Sequence, residues 1–398
     1  MMSAKISLVI RRLAQRGGGA ERVYIELANM LGAEGHRVRC LHFDRSRQAP
    51  AFPLDSGIQR KNLWSQGPLG FGAQELLAGA FYPYRKGALL SPAAWLAEHG
   101  NFTKALIRDF RASDPDLVIS FMPAANTPSL LASAWTGHKV VACNHNHPEQ
   151  DYASQARWDQ NPLDRSIRLP ALRLAHRIHV LFESYGKWFP ADLQRKVEVV
   201  HNYPTDDVFQ VGKRLAREKL VVAAGRLAKV KNYGLLIDAW AKLAGDFSQW
   251  RLEIFGQGPD ERQLQSRIER LGVGDRVILG GQSERMADVY DRASLFAHPS
   301  SYEGFPLSVT EALARGVPVV GFSDTSGVDQ LVLHEKNGLL LSRQGGAEEF
   351  SNGLRALMQD ESKRAQLAAA GPSSVSHYTK ERNLLCWQRI IAEALGDG

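Results

Sequence analysis

Short apolar runs, each long enough for one buried strand, alternate along this chain with amphipathic segments of helical period. Ile6–Ile10 (ISLVI) is the first run. A glycine run, Gly17-Gly18-Gly19, separates it from a segment whose apolar residues Val23, Leu27, Met30 and Leu31 fall at helical spacing before Gly35. Val38–Phe43 is the next strand. This strand, glycine loop, helix, strand unit builds a parallel sheet covered by helices. The pattern recurs at Leu117–Ser120, Lys139–Cys143, Ile178–Phe182 and Val197–Val200, the last running into His201-Asn202-Tyr203-Pro204.

Thr205–Lys219 is polar and without period, which predicts a linker. The plan then restarts. Leu220–Ala224 is a strand, Gly225-Arg226-Leu227 turns the chain, and Lys231-Asn232 is expected to open a helix buried through Leu235, Leu236, Ala239 and Trp240. Leu252–Phe255 leads into Gly256-Gln257-Gly258-Pro259. Val277–Leu279 and Ser294–His298 follow, and Val317–Phe322 is the last strong strand. Glu381–Leu395 is amphipathic, with Leu384, Leu385, Ile390 and Ile391 expected on one side. The fold class implied is α/β: two doubly wound, Rossmann-like sheets facing each other. Residues 64–102, rich in glycine, proline and aromatics including Phe81, Tyr82 and Tyr84 beside Arg85 and Lys86, read as an insertion between strands. An acceptor-side lid or a membrane-facing element are the other readings.

Composition narrows the class. A length of 398 residues suits two domains, and 44% hydrophobic residues suffice for two cores. The balance of 49 basic against 42 acidic residues, a formal charge of +7, fits an anionic ligand or an anionic membrane surface. No run of like charges and no aromatic-basic motif is present, so no nucleic-acid partner is expected. Cys40, Cys143 and Cys386 lie far apart, with neither zinc spacing nor a disulfide framework, and read as buried free thiols of a reducing compartment. No apolar run approaches a signal peptide or a membrane span. The expected location is cytoplasmic, with any contact to an anionic inner membrane peripheral.

Ser300–Val320 (SSYEGFPLSVTEALARGVPVV) carries the densest chemistry. Glu303 lies on a loop and Glu311 in the helix that follows. The amides of Phe305, Leu307 and Ser308, at a helix start near Pro306, could hold a phosphate oxygen. Such a layout suits a ligand with hydroxyls at both ends and phosphate between. Taken singly, either acid could be a surface or helix-dipole residue. Arg226 and Lys231 in GRLAKVKN stand at a strand's carboxyl end, where open α/β sheets bind ligands. One supplies a planar fork and the other a point charge for a diphosphate. Gly18 and Gly19 allow close backbone approach to a ligand, or simply a tight turn. In Asn144-His145-Asn146-His147-Pro148, His145 could touch a sugar hydroxyl. No metal site is expected, since the two histidines lack further ligands at suitable spacing.

Together these stretches resemble the retaining, GT-B-fold group 1 glycosyltransferases. GGGAERV with its ELANML helix, VVHNYP, GRLAKVKN, IFGQGP, SSYEGFPLSVTEALARGVPVV and HEKNGLLL occur in the family's order across nearly the whole chain. The resemblance implies an acceptor-side domain over 1–204, a nucleotide-sugar domain over 205–376, and a segment over 377–398 crossing back to the first. It implies a nucleotide-diphosphate sugar donor, a glycan or lipid-linked glycan acceptor, and no metal or other cofactor, since Arg226 and Lys231 would neutralise the diphosphate. Glu303 and Glu311 match the family's paired glutamates, Gly18 and Gly19 its N-terminal loop, and His145 its sugar-contacting histidine. Front-face substitution with retention would let the leaving phosphate take the acceptor's proton, so Glu303 is not assigned as a nucleophile. SDTSGVDQLV departs from the pattern, with Gln330 where many members carry glutamate. The alternatives are a nucleotide-sugar 2-epimerase on the same architecture and a non-catalytic nucleotide-sugar-binding partner.

Overall fold

A computed structural model describes residues 3–14, 18–45, 48–66, 91–154, 161–209 and 217–396. Gly17, residues 67–90 of the insertion and residues 210–216 of the expected linker lie outside the described residues. The chain divides into two compact units, Met1–His201 with Leu384–Gly398, and Asn202–Asn383. No helix among the described residues is long and apolar enough to cross a membrane.

The first unit is built on one parallel sheet ordered β3-β2-β1-β4-β5-β6-β7, with β1 Lys5–Ile10, β2 Arg37–His42, β3 Gln59–Asn62, β4 Leu117–Phe121, β5 Val140–Cys143, β6 Arg177–Val180 and β7 Val197–Val199. Ile6 through Ile10 are all buried, which explains the unbroken apolar run: both faces of β1 are covered. The helix Gly19–Ala33 buries Tyr24, Ile25, Leu27, Ala28, Met30 and Leu31, and Gly35 leaves it at φ +86°.

The structure adds one strand to the sequence pattern and moves one helical face. Gln59–Asn62 (QRKN) has no apolar pattern, yet it forms the sheet's edge by pairing with Arg39–His42. Its hydrogen bonds come from its neighbour, so no periodicity announces it. In the helix Lys380–Leu395, Leu385 is exposed. The face packed into the first unit's core is instead Trp387, Ile390, Ile391 and Ala394, an i, i+3, i+4, i+7 stripe. Cys40 and Cys143 are buried as expected, but Cys386 is only partly so.

The second unit repeats the plan with a parallel sheet ordered β10-β9-β8-β11-β12-β13, comprising β8 Leu220–Ala224, β9 Arg251–Phe255, β10 Val277–Gly281, β11 Leu295–His298, β12 Val319–Phe322 and β13 Gly338–Leu341. The edge strand β13 follows the one read as last. Its core gathers Leu236, Ile237 and Trp240 from the helix Tyr233–Ala241, with Leu252, Ile254, Leu295 and Phe322 from the strands.

The turns after β8 and β9 interlock. Gly225 N donates to Phe255 O at 2.9 Å and Leu227 N to Gln257 O at 3.0 Å. Gly256 has φ +136°, and a Cβ there would stand 2.0 Å from the Gly225 carbonyl oxygen. Only glycine permits this approach. Lys231 closes a 3-10 turn, Lys229–Lys231, and does not begin the helix as expected. Asn232, left-handed at φ 53°, intervenes before Tyr233. Asparagine tolerates that conformation better than most residues, and it re-aims the chain between turn and helix.

Candidate active site

Lys231 and Glu303, 72 residues apart, form an ion pair at the carboxyl end of the second sheet. Lys231 Nζ donates to Glu303 Oε1 at 2.6 Å. Two loops are tied together to make it: Ser301 N donates to Val230 O at 2.8 Å, one residue before Lys231. The backbone of Glu303 is held from the other side, its N–H donating to Ser326 O at 3.2 Å and its carbonyl accepting from Ser326 Oγ at 2.9 Å.

His298, at the end of β11 and fully inside, reaches the same oxygen, with Nε2 3.0 Å from Glu303 Oε1. Burial alone would push the Glu303 carboxyl up. The Lys231 ammonium and the His298 contact overcome it and hold the group well below the usual carboxylate range, so it is ionised. Burial lowers His298 against the opposing pull of Glu303. A neutral imidazole donating from Nε2 satisfies both observations. The Tyr233 hydroxyl is buried beside this group without a hydrogen-bond partner among the described residues. Burial and then the Glu303 charge push it up, leaving a protonated donor. A Cβ on Gly225 would lie 2.9 Å from that hydroxyl and 3.4 Å from Lys231 Nζ.

Glu311 is buried in the helix Leu307–Ala314, past its first turn, and accepts from Tyr290 Oη at 3.0 Å. At the head of this helix, the amides of Leu307 and Ser308 make no backbone hydrogen bond among the described residues, whereas those of Val309 and Thr310 already donate to Pro306 O. Two donors at a helix start are therefore available to an anion. The Phe305 ring packs edge-on against Tyr378 at 5.1 Å, which anchors the turn. Gly327 (φ +80°) presses against the Gly304 carbonyl, where a Cβ would come within 2.8 Å. Arg226 is exposed, with no ion pair or hydrogen bond among the described residues, so only its backbone is fixed. The second unit thus contains Arg226, Lys231, Glu303, Phe305, Leu307, Ser308 and Glu311.

The other three expected residues belong to the first unit. Gly18 precedes the helix that Gly19 begins. A Cβ on Gly19 would meet nothing within 4 Å, so the fold itself does not demand glycine there. His145 is buried past the end of β5, stacked on Phe121 at 4.7 Å. Burial first, then His179, keeps its imidazole neutral.

Sequence reasoning missed His298, Tyr233 and Tyr290. Of these only His298 carries a local signal, a polar residue ending an apolar strand five positions before Glu303.

Comparison with known proteins decides the family. Residues 205–374 match the model of "Glycosyl transferases group 1" and residues 17–203 that of "Glycosyltransferase Family 4". An uncharacterized glycosyltransferase of Haemophilus influenzae is 31% identical over 390 residues, covering 97% of this chain and 99% of that protein. The chain belongs to the group 1 glycosyltransferases. It is thus a transferase enzyme, as its motifs implied. The lipopolysaccharide core biosynthesis mannosyltransferase LpsB of Rhizobium meliloti is 30% identical over 182 residues, 44% of this glycosyltransferase and 50% of LpsB. Among solved structures, Anabaena HepE in complex with UDP and glucose superposes with a TM-score of 0.70 at 20% identity, covering 99% of this chain and all of that one. At that identity the likeness shows the fold, the two Rossmann-like units of the GT-B glycosyltransferases.

Proposed function

We propose that this glycosyltransferase moves a sugar, with retention, from a nucleotide-diphosphate sugar to a hydroxyl of a glycan or lipid-linked glycan in cell-surface polysaccharide synthesis. The observation that carries the reading is the Lys231–Glu303 pair beside the unoccupied amides of Leu307 and Ser308. The Lys231 ammonium has three donors and gives one to Glu303, leaving others for a diphosphate oxygen. Arg226 supplies the second cation, and the two amides the remaining neutral donors. Glu303, held ionised, accepts from donor-sugar hydroxyls, and Glu311, positioned by Tyr290, from the ribose. Gly18, Gly19 and His145 are assigned to the donor from the first unit, with Met1–His201 as the acceptor side.

In the step itself the acceptor oxygen bonds to the anomeric carbon on the face from which the diphosphate oxygen departs. The anomeric carbon–phosphate oxygen bond breaks with its electron pair on phosphate, and that phosphate oxygen takes the acceptor's proton. No protein base is required, and the two cations stabilise the charge that develops. Family membership and the LpsB likeness support transfer in polysaccharide assembly over epimerisation. HepE, solved with UDP and glucose, makes UDP-sugars the first donors to try. The basic excess supports peripheral contact with an anionic membrane surface.

The experiment is nucleoside-diphosphate release from UDP-glucose and GDP-mannose in chelator, with and without extracted lipid-linked glycan. Acceptor-dependent release, giving a product of the donor's anomeric configuration, is expected. Conversion of the donor without acceptor would establish the epimerase instead.

A further inference from the structure

Away from the ion pair of the second unit, the first unit holds a buried cluster that the transfer reaction does not use. Cys143 ends β5, His145 lies two residues on, and His179 on β6 is the register partner of Cys143. Residues two apart on extended chain share a face, and register partners on neighbouring strands share it too, so all three side chains point the same way. One donor atom from each lies within 4.8 Å of the other two. All three residues are buried.

Three ring nitrogens of this cluster are unaccounted for among the described residues. Neither ring nitrogen of His145 has a hydrogen-bond partner among the described residues, and neither does Nδ1 of His179. Buried polar atoms left without a hydrogen-bond partner are costly and call for an occupant. His179 Nε2 lies 2.9 Å from the Val200 carbonyl and must donate to it, which fixes the tautomer and leaves Nδ1 as a bare acceptor. A ring held by a backbone carbonyl on one nitrogen and open on the other is the usual arrangement of a metal-ligating histidine.

We propose that Cys143, His145 and His179 bind a single zinc ion. One thiolate and two imidazoles are a borderline-soft donor set that suits zinc and discriminates against magnesium and calcium. Tetrahedral ligands at zinc distances stand about 3.5 Å apart, so the side chains close in slightly as the ion enters. Binding forms the sulfur–zinc bond and releases the Cys143 proton to solvent. His145 ligates through one of its two buried ring nitrogens, so the ion fixes the orientation of that ring. Sequence spacing could not show the site, because His179 arrives from the next strand.

The test is metal content and cobalt spectroscopy on untagged full-length protein. Wild type is expected to purify with near-stoichiometric zinc and, once stripped and loaded with cobalt, to show a thiolate-to-cobalt charge-transfer band. Cys143→Ser should abolish the band and, with His179→Ala, lower affinity roughly tenfold or more, while Cys386→Ser changes neither. Should the cluster variants fail to fold, competition of wild type with a chromophoric chelator and the cobalt band still decide the matter. Wild type that takes up neither zinc nor cobalt, or a band that survives Cys143→Ser, overturns the proposal. Transferase activity does not enter these readouts, so their failure would leave the proposed reaction standing.

Discussion

Glu303 is ionised in a place that by burial alone would protonate it, and its two partners decide the outcome. Breaking such a pair by removing one charge typically costs about 3–5 kcal/mol, because the survivor stays desolvated. Glu303→Gln should therefore lower the unfolding free energy by an amount in that range, read as a lower urea midpoint, and cut transfer at least about a hundredfold, a loss of about 2.7 kcal/mol in transition-state stabilisation. A variant with unchanged midpoint and full turnover would show that the pair is incidental. The sign of the pH effect follows from the depressed carboxyl. Its stabilisation is complete above the unfolded value of about 4.3 and is lost as pH falls below it. His298 should behave as a positioning residue: His298→Ala lowers turnover by releasing Glu303, and His298→Gln, which can donate to the same oxygen, recovers much of it. Equal loss in both would remove hydrogen bonding to Glu303 from the account.

At the scale of elements, two devices hold the units in shape. The interlock of the turns after β8 and β9 depends on Gly256, where any side chain would collide with the Gly225 carbonyl in a left-handed backbone. Gly256→Ala should destabilise by about 2 kcal/mol or more and reduce donor binding, because Arg226 and Lys231 lie on the turn it supports. Unfolding in urea checks the first effect and calorimetry the second. The helix Lys380–Leu395 packs Trp387 into the first unit's core, and Trp387→Ala should cost about 3–5 kcal/mol. A cost below 1 kcal/mol would mean that the helix is only loosely attached. Most of the strands were legible in the sequence, because β1, β5, β8 and β12 are covered on both faces and need unbroken apolar runs. The edge strand Gln59–Asn62 was not, since its place comes from pairing alone. The turn at Lys231 was misread for a related reason. A cation before an amphipathic run looks like a helix start, and the left-handed step at Asn232 leaves no periodic trace. The acids, cations and glycines of the site were legible as motifs, but His298, Tyr290 and Tyr233 matter through contacts with residues of other elements.

Over the whole molecule, burial holds an unusual set of histidines neutral: His36, His42, His99, His145, His176, His179 and His298 are all lowered, His42 and His179 to about 4. Below about pH 6.5 the unfolded chain binds protons that the folded one refuses, so stability should fall steadily from neutrality toward pH 5, before any carboxylate contributes. Urea midpoints at pH 7.5 and 5.5 check this, and equal values would contradict it. The central claim is that a nucleoside diphosphate is held by Arg226 and Lys231 without a metal in between. Its most direct test is calorimetric titration of UDP, and then GDP, into the full chain in excess chelator, alongside Arg226→Ala and Lys231→Ala. One of the two diphosphates should bind wild type in chelator, and each variant should weaken it tenfold or more, about 1.4 kcal/mol. Failure of both to bind, or equal binding by wild type and both variants, would contradict it.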